Sequence, residues 1–180
     1  MNKQPNITEK TKQIFVEAFC MLYSQKPIDK ISIQEIAKKA GYNRSTFYQY
    51  FLNIDDLLHY VESSFLDNIG VKRSKIEVNS DSFFNILLDL YENNAIIYSA
   101  LFGVYGSHQF FDKMKEKLSI PGINLKSRHK LKPYLMEYRF SNSLSLFRLW
   151  LKRGAKKDLP LKDIIDLVVT LYKNGISSFK

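Results

Sequence analysis

Residues 32–51 read SIQEIAKKAGYNRSTFYQYF, a stretch that contains two helix-start signals separated by a glycine. Ser32 is followed three positions later by Glu35, the spacing of a capping box, so we predict that a helix begins directly after the serine. Gly41 lies where a helix ends in the left-handed conformation, and Asn43 is a favourable N-cap for another helix. The stretch therefore predicts two short helices joined by a tight turn.

The second predicted helix has an aromatic side and a polar side. The aromatic side is formed by Phe47, Tyr50 and Phe51. The polar positions carry donors and acceptors suited to phosphates and base edges, and they are Arg44, Ser45, Thr46, Tyr48 and Gln49. An ordinary helical hairpin with a solvated face is the alternative. The complete order of cap, turn glycine, second cap and polar face favours a helix-turn-helix that binds DNA.

This stretch and its flanks resemble the DNA-binding domain of TetR-family transcriptional regulators. The resemblance is specific over about residues 8–60 and rests on architecture beyond them. The matching residues are Ile33, Ile36, Ala37, Ala40, Gly41, Thr46, Phe47, Tyr48, Tyr50, Phe51, Leu57 and Leu58.

The resemblance implies a role for each polar position of the second helix. It implies phosphate contacts for Thr46 and Tyr48. It implies base contacts for Arg44, Ser45 and Gln49. We add Ser32, at the start of the first helix, to the predicted DNA-binding residues. Ile54 stands where the family commonly has a lysine that contacts the DNA backbone, so the resemblance does not carry that contact over.

Length and composition fit a protein with a sizeable core. The chain has 180 residues, 45% of them hydrophobic, and no apolar run long enough to span a membrane. Its N-terminus lacks the apolar segment of a secretory signal, so we expect a cytoplasmic protein. The single cysteine, Cys20, excludes a disulfide within the chain and is expected to be a small buried residue.

The net charge of +9 is unevenly distributed. Residues 1–50 hold eight basic and four acidic side chains, residues 51–100 hold three and eight, and residues 101–180 hold sixteen and six. A basic N-terminal module suits DNA. We interpret the basic run at residues 126–132 (KSRHKLK) as a solvated loop, with a site for an acidic ligand or a further nucleic-acid contact as alternatives.

Helical periodicity continues to the end of the chain, which predicts an all-α fold. We place a helix-turn-helix domain at residues 1–52 and a helical ligand-sensing and dimerisation domain at residues 53–180. The further helices are predicted over residues 54–72, 95–105, 134–153 and 161–174, with another that is capped by Ser80 or Asp81 and runs to about Glu92.

The last predicted helix carries apolar residues over an arc of roughly 200°, wider than the stripe of a one-sided surface helix. Burial inside a monomer is one explanation. Because two recognition helices need a dimer to reach successive major grooves, we predict instead a four-helix interface with a second copy, as the resemblance also implies. The predicted interface residues are Leu144, Trp150, Leu151, Ile164, Ile165, Val168, Leu171 and Tyr172.

Aromatic residues form 14% of the chain, and many lie between residues 83 and 150. Small-molecule pockets have aromatic and apolar linings, although an aromatic stripe also forms ordinary core. The resemblance implies a small-molecule sensor, and we predict a mainly apolar ligand, with room for it beside Gly103 and Gly106. The predicted ligand-binding residues are Tyr98, Phe102, Tyr105, His108, Tyr138 and Phe147.

Catalytic motifs are missing from the sequence. It has no glycine-rich phosphate loop, no zinc-protease motif and no nucleophile elbow, so we expect no enzymatic activity, metal or cofactor. The predicted function is a transcriptional repressor that binds an inverted-repeat operator as a homodimer and is released by its ligand. The alternative is an adaptor with the same fold that binds a partner protein instead of DNA.

Overall fold

The computed structural model describes residues 5–74, 80–117, 130–155 and 159–177. These residues form helices and turns with no strand among them, which confirms the all-α prediction. The helices are α1 (Pro5–Tyr23), α2 (Ile33–Ala40), α3 (Arg44–Phe47), α4 (Ile54–Ser74), α5 (Ser80–Phe102), α6 (His108–Lys117), α7 (Lys132–Lys152) and α8 (Leu161–Ser177). Within the described ranges, no helix is both long enough and apolar enough to cross a membrane.

The chain forms two compact units. The first comprises Met1–Asp67 and Asn94–Phe110, and the second comprises Asn68–Asn93 and Phe111–Lys180. The first unit thus contains the beginning of α4 and the end of α5 together with the helix-turn-helix. α5 is kinked at Asn94 (φ −142°, ψ 37°), which agrees with the separate helical segments predicted on either side of this residue.

The core of the helix-turn-helix is built around Phe15 of α1. Its fully buried ring lies 5.6 Å from the ring of Phe47, edge-on, and 5.4 Å from the ring of Tyr42. Cys20 is buried on the same helix, as predicted. Its burial, with a smaller contribution from Glu17, raises the pKa of the thiol to about 12, so this cysteine is an inert core residue.

In the second unit, α7 packs against α8, and Trp150 anchors the pair. The indole is 1% exposed, and its Nε1 donates a 2.6 Å hydrogen bond to the carbonyl of Leu159, just before α8 begins. Tyr91 and Phe147 lie against it at 4.9 and 5.7 Å between ring centroids. A buried polar tip with a partner and an apolar body among rings is a favourable environment for tryptophan.

Candidate nucleic-acid interface

The structure contains the capping box and the glycine turn that were predicted in residues 32–51. Ser32 Oγ accepts from the Glu35 amide at 3.2 Å, and the Glu35 carboxylate accepts from the Ser32 amide at 3.0 Å, which confirms the capping box. Gly41 adopts the left-handed conformation (φ 74°, ψ 22°), and its amide and that of Tyr42 donate to carbonyls of the last turn of α2. This turn sets the direction in which α3 leaves α2.

A distant lysine reinforces the cap of α2. Lys26 Nζ lies 2.6 Å from Glu35 Oε1. The hydrogen bond from Lys26, followed by those from Ser32, lowers the pKa of Glu35 to about 2. The exposed hydroxyl of Ser32 also donates to this carboxylate at 3.0 Å, so the side chain predicted to contact DNA is engaged in the cap.

Regular α-helix in α3 is shorter than the sequence predicts. It covers Arg44–Phe47 and gives way to a tighter turn, in which the amide of Tyr50 donates to the carbonyl of Phe47 at 3.0 Å. The tighter turn brings the Tyr50 ring to 6.2 Å from Phe15. Phe47 and Phe51 are buried, as the aromatic side of the predicted helix requires.

The polar side chains of α3 and the turn after it face outward. Arg44, Ser45, Tyr48 and Gln49 are exposed, and Thr46 is half-buried. The guanidinium Nη2 of Arg44 donates to the Tyr48 hydroxyl over 3.4 Å. Four of the five side chains predicted here are therefore accessible to a partner, with a permanent positive charge among them.

Asn43 organises the start of α3. Its Oδ1 accepts from the Thr46 amide at 2.9 Å, which confirms it as the N-cap. The same oxygen accepts from the Ser45 hydroxyl at 2.6 Å and from the Thr46 hydroxyl at 2.9 Å. Sequence reasoning identified the cap but not the two hydroxyl contacts, because those depend on side-chain rotamers.

The first turn of α4 is acidic where the family commonly places a lysine. The Asn53 side chain accepts from the Asp56 amide at 2.8 Å, and Asp56 Oδ2 accepts from the Leu52 amide at 2.9 Å. Asp55 adds a second carboxylate to the same turn. Two negative charges disfavour a DNA phosphate at this position, so the departure noted at Ile54 extends to the whole turn.

Two of the predicted ligand-binding residues meet in the first unit. Tyr98 and Phe102 of α5 stack at 5.4 Å, and their rings lie 5.0 and 5.6 Å from Phe65 of α4. Phe110 of α6 lies 5.7 Å from the same ring. All four side chains are buried, and we call them the aromatic cluster.

The other predicted ligand-binding residues lie outside the aromatic cluster. Tyr105 is 37% exposed in the turn after α5, and its carbonyl accepts a 2.6 Å hydrogen bond from the Tyr23 hydroxyl. His108 is exposed, and Tyr138 is 66% exposed. Phe147 belongs to the second unit, against the Trp150 indole.

Gly103 and Gly106 do not leave the room for a ligand that the sequence suggested. A Cβ at Gly103 would collide with the carbonyl oxygen of Ser99, and one at Gly106 would collide with that of Leu101. The expectation was wrong because the end of α5 already fills this space. The glycines instead close the turn, in which the Gly106 amide donates to the Gly103 carbonyl at 3.2 Å.

The residues predicted for a dimer interface differ in exposure. Leu171 is 61% exposed, and Trp150 is buried in its own unit and offers no surface to a second copy. Two leucines that were not predicted, Leu149 and Leu167, are 51% and 44% exposed. The half-buried members of the predicted set are Leu144, Leu151, Ile164, Ile165 and Val168. The side chain of Tyr172 and residues 126–129 of the basic run lie outside the described part of the chain.

The N-terminal region matches a known family. Residues 15–61 match the model for bacterial regulatory proteins of the tetR family. Over 53 residues the chain is 34% identical to YwcC, an uncharacterised HTH-type transcriptional regulator of Bacillus subtilis (strain 168). This stretch covers 29% of the chain, and the chain spans 24% of the length of that relative.

Two solved structures are similar along most of the chain. The TetR transcriptional regulator from Streptococcus agalactiae 2603V has a TM-score of 0.66 at 17% identity, and the match covers 93% of this chain and 96% of that one. The dihydroxyacetone kinase operon activator DhaS has a TM-score of 0.58 at 20% identity, with the same two coverages. These similarities show a shared fold, an N-terminal helix-turn-helix followed by a helical domain.

Proposed function

We propose that the chain is a transcriptional regulator of the TetR family that binds a specific operator as a homodimer. The observation that carries this proposal is the exposed polar surface of α3, held on buried Phe47 and capped by Asn43. A helix presented in this way can lie in the major groove. Arg44 and Tyr48 supply donors to phosphates or guanine, and Gln49 supplies an amide for a base edge.

The exposed leucines of α7 and α8 support the homodimer. Leu149, Leu167 and Leu171 leave apolar surface in water, which association with a second copy would remove. A two-fold dimer places two recognition helices on successive major grooves, so the operator is an inverted repeat.

We further propose that the protein is a repressor released by a mainly apolar small molecule. A ligand inserted among the rings of the aromatic cluster displaces Phe65 and with it α4, which follows directly on the recognition segment. The hydrogen bond from Tyr23 to Tyr105 also ties α1 to the turn after α5. A tenfold loss of operator affinity requires the ligand to favour the DNA-incompetent arrangement by about 1.4 kcal/mol.

DNA binding is tested by selection from a random duplex pool, followed by mobility shifts on fragments around the protein's own gene. We expect an inverted repeat and retarded complexes that Arg44→Ala abolishes. Lys162→Ala, at an exposed position of α8, is the matched control and should bind normally. A folded protein that selects no sequence but captures a partner regulator would establish the adaptor function instead.

The direction of regulation is tested with an operator-linked reporter gene. Repression predicts that deletion of the regulator raises transcription, and that an inducing ligand does the same. The similar structure of DhaS bears the name of an operon activator. A fall in transcription on deletion would therefore replace repression by activation and leave the proposed DNA binding intact.

A further inference from the structure

The cap of α3 determines the direction of the hydrogen bonds around it. A peptide N–H can only donate, so the Asn43 atom that faces the Thr46 amide at 2.9 Å must be the carbonyl oxygen and not the amide nitrogen. The hydroxyls of Ser45 and Thr46 lie 2.6 and 2.9 Å from this oxygen. Because an amide oxygen only accepts, each hydroxyl directs its single proton to Asn43.

This arrangement makes Ser45 an acceptor towards any outside partner. A serine hydroxyl normally both donates and accepts, so it does not discriminate between bases. With its proton held by Asn43, the exposed Ser45 hydroxyl has only lone pairs to offer. In the major groove the available donors are the exocyclic amines, N6 of adenine and N4 of cytosine, whereas O6 of guanine and O4 of thymine accept.

We propose that Ser45 recognises the exocyclic amine of an adenine or cytosine in the operator, and that Asn43 enforces this choice. The inference rests on the proposed function, in which α3 enters the major groove. To face guanine or thymine oxygen, Ser45 must turn its proton away from Asn43 and lose the 2.6 Å hydrogen bond. The loss of one such bond corresponds to discrimination of roughly two- to tenfold.

The direction of their hydrogen bonds also distinguishes Thr46 from Tyr48. Both donors of Thr46, its amide and its hydroxyl, point to Asn43, which differs from the phosphate contact that the family resemblance implies. The Tyr48 hydroxyl accepts from Arg44, so its own proton can be donated to a phosphate oxygen. The surface therefore carries donors at Arg44 and Tyr48 and an acceptor at Ser45.

The experiment begins with sequence selection from a random duplex pool by the wild-type protein and by Ser45→Ala. The base pair whose preference disappears in the variant is the pair that Ser45 contacts. Every base pair carries one amine and one keto oxygen in the major groove. Chemical synthesis can remove either group: purine or 2-pyrimidinone lacks the amine of adenine or cytosine, and 5-methyl-2-pyrimidinone or 2-aminopurine lacks the keto oxygen of thymine or guanine.

Removal of the amine breaks one hydrogen bond of the base pair, whereas removal of the keto oxygen also removes the ring N–H beside it. Each effect on binding is therefore compared with the same effect in Ser45→Ala, which has no hydroxyl at this position. For the wild-type protein, we expect the ratio of the amine effect to the keto effect to be roughly two- to tenfold greater than for Ser45→Ala. The coupling between protein and base is thereby isolated as in a double-mutant cycle.

Two substitutions test the role of Asn43. Asn43→Gly keeps an acceptable N-cap but releases the Ser45 hydroxyl, so the difference from Ser45→Ala in this ratio should shrink. Asn43→Asp keeps an accepting cap and should retain the difference, although its charge lowers affinity overall. Thermal melting reports whether each variant folds, and the comparison of wild type with Ser45→Ala stands without either of them.

The outcomes separate this inference from the function on which it rests. A ratio of amine to keto effects in the wild type that is equal to or below that in Ser45→Ala, or no base pair dependent on Ser45, would overturn the inference alone. A full difference retained in a folded Asn43→Gly variant would overturn the part assigned to Asn43. A folded wild-type protein that selects no sequence would overturn the proposed function and the inference together.

Discussion

Tyr48 and Gln49 are neighbours on the exposed segment around α3, yet they are expected to act differently on DNA. Tyr48 presents a hydroxyl whose partner Arg44 leaves its proton available for a phosphate. Contacts to phosphates position a protein without reading sequence, whereas an amide against a base edge discriminates between bases. The two substitutions should therefore change affinity and specificity separately.

The first prediction contrasts these residues. Tyr48→Phe should weaken binding to operator and non-operator DNA alike, by about 1 kcal/mol for one lost hydrogen bond. Gln49→Ala should instead relax the preference at one base position in each half-site, by roughly 1–3 kcal/mol. Mobility-shift titrations at constant salt on both kinds of DNA measure the two effects. An unchanged selected sequence for Gln49→Ala would show that Gln49 is not a base reader.

The second prediction concerns the pH dependence of the α2 cap. Lys26 and Ser32 lower the pKa of Glu35 from 4.5 to about 2. A carboxyl group whose pKa is lowered by folding stabilises the folded state at pH values above its pKa in the unfolded chain. This contribution is lost as the pH falls towards the pKa of the folded state. The stability advantage of the wild type over Glu35→Gln should be complete above pH 4.5 and disappear towards pH 2. Melting curves of both proteins across this range would contradict the assignment if their separation stayed constant.

At the scale of elements, one hydrogen bond joins α1 to the turn that follows α5. The Tyr23 hydroxyl reaches the Tyr105 carbonyl at 2.6 Å across 82 positions of sequence. Burial, with a smaller contribution from Glu62, raises the pKa of Tyr23, so the hydroxyl keeps the proton that it donates. Gly103 and Gly106 hold the accepting turn in a shape that no side chain at these positions would fit.

The third prediction tests this connection. Tyr23→Phe should lower the free energy of unfolding by about 1 kcal/mol and reduce the loss of operator affinity caused by a bound ligand. Tyr134→Phe is the matched control, because it removes a tyrosine hydroxyl from a side chain that is 73% exposed and belongs to no predicted site. Denaturant unfolding and operator titrations with and without ligand measure both effects. A ligand response that is unchanged in Tyr23→Phe would exclude this hydrogen bond from the switch.

At the scale of the whole molecule, we expect the exposed surface of α8 to determine whether two copies of the chain associate. Leu167 and Leu171 lie four positions apart, on one face of the helix, and both are exposed. Trp150, in contrast, stabilises the pairing of α7 with α8 inside one chain. The proposed contact between copies is therefore made by the exposed leucines and not by the tryptophan.

The fourth prediction is the oligomeric state. Sedimentation should report about twice the chain mass of 21.1 kDa. Leu171→Asp should give monomers and lose the inverted-repeat preference, because a charge would be desolvated in the interface. Thr170→Asp introduces the same charge at a neighbouring exposed position, in line with Asp166, and should remain dimeric. A wild-type monomer that binds a single half-site tightly would refute the dimer.

Sequence alone was sufficient for the features that depend on residues close together in the chain. The capping box of α2, the left-handed Gly41 and the Asn43 cap each involve neighbours three or four positions apart, and all three are present. Helical periodicity likewise located α4, α7, α8 and the break near Asn94. α6 was missed, although Ser107 caps it and three buried side chains follow at helical spacing, namely Phe110, Phe111 and Met114.

Other features were decided only by the tertiary structure. Trp150 turns inward because Leu159, Tyr91 and Phe147 come together around it, and periodicity alone does not distinguish a core face from an interface face. The pairing of Lys26 with Glu35 and that of Tyr23 with Tyr105 depend on how α1 packs. Capping and periodicity act within a helical turn and can be read locally, whereas distant partners, rotamers and the direction of a hydroxyl proton are set by packing.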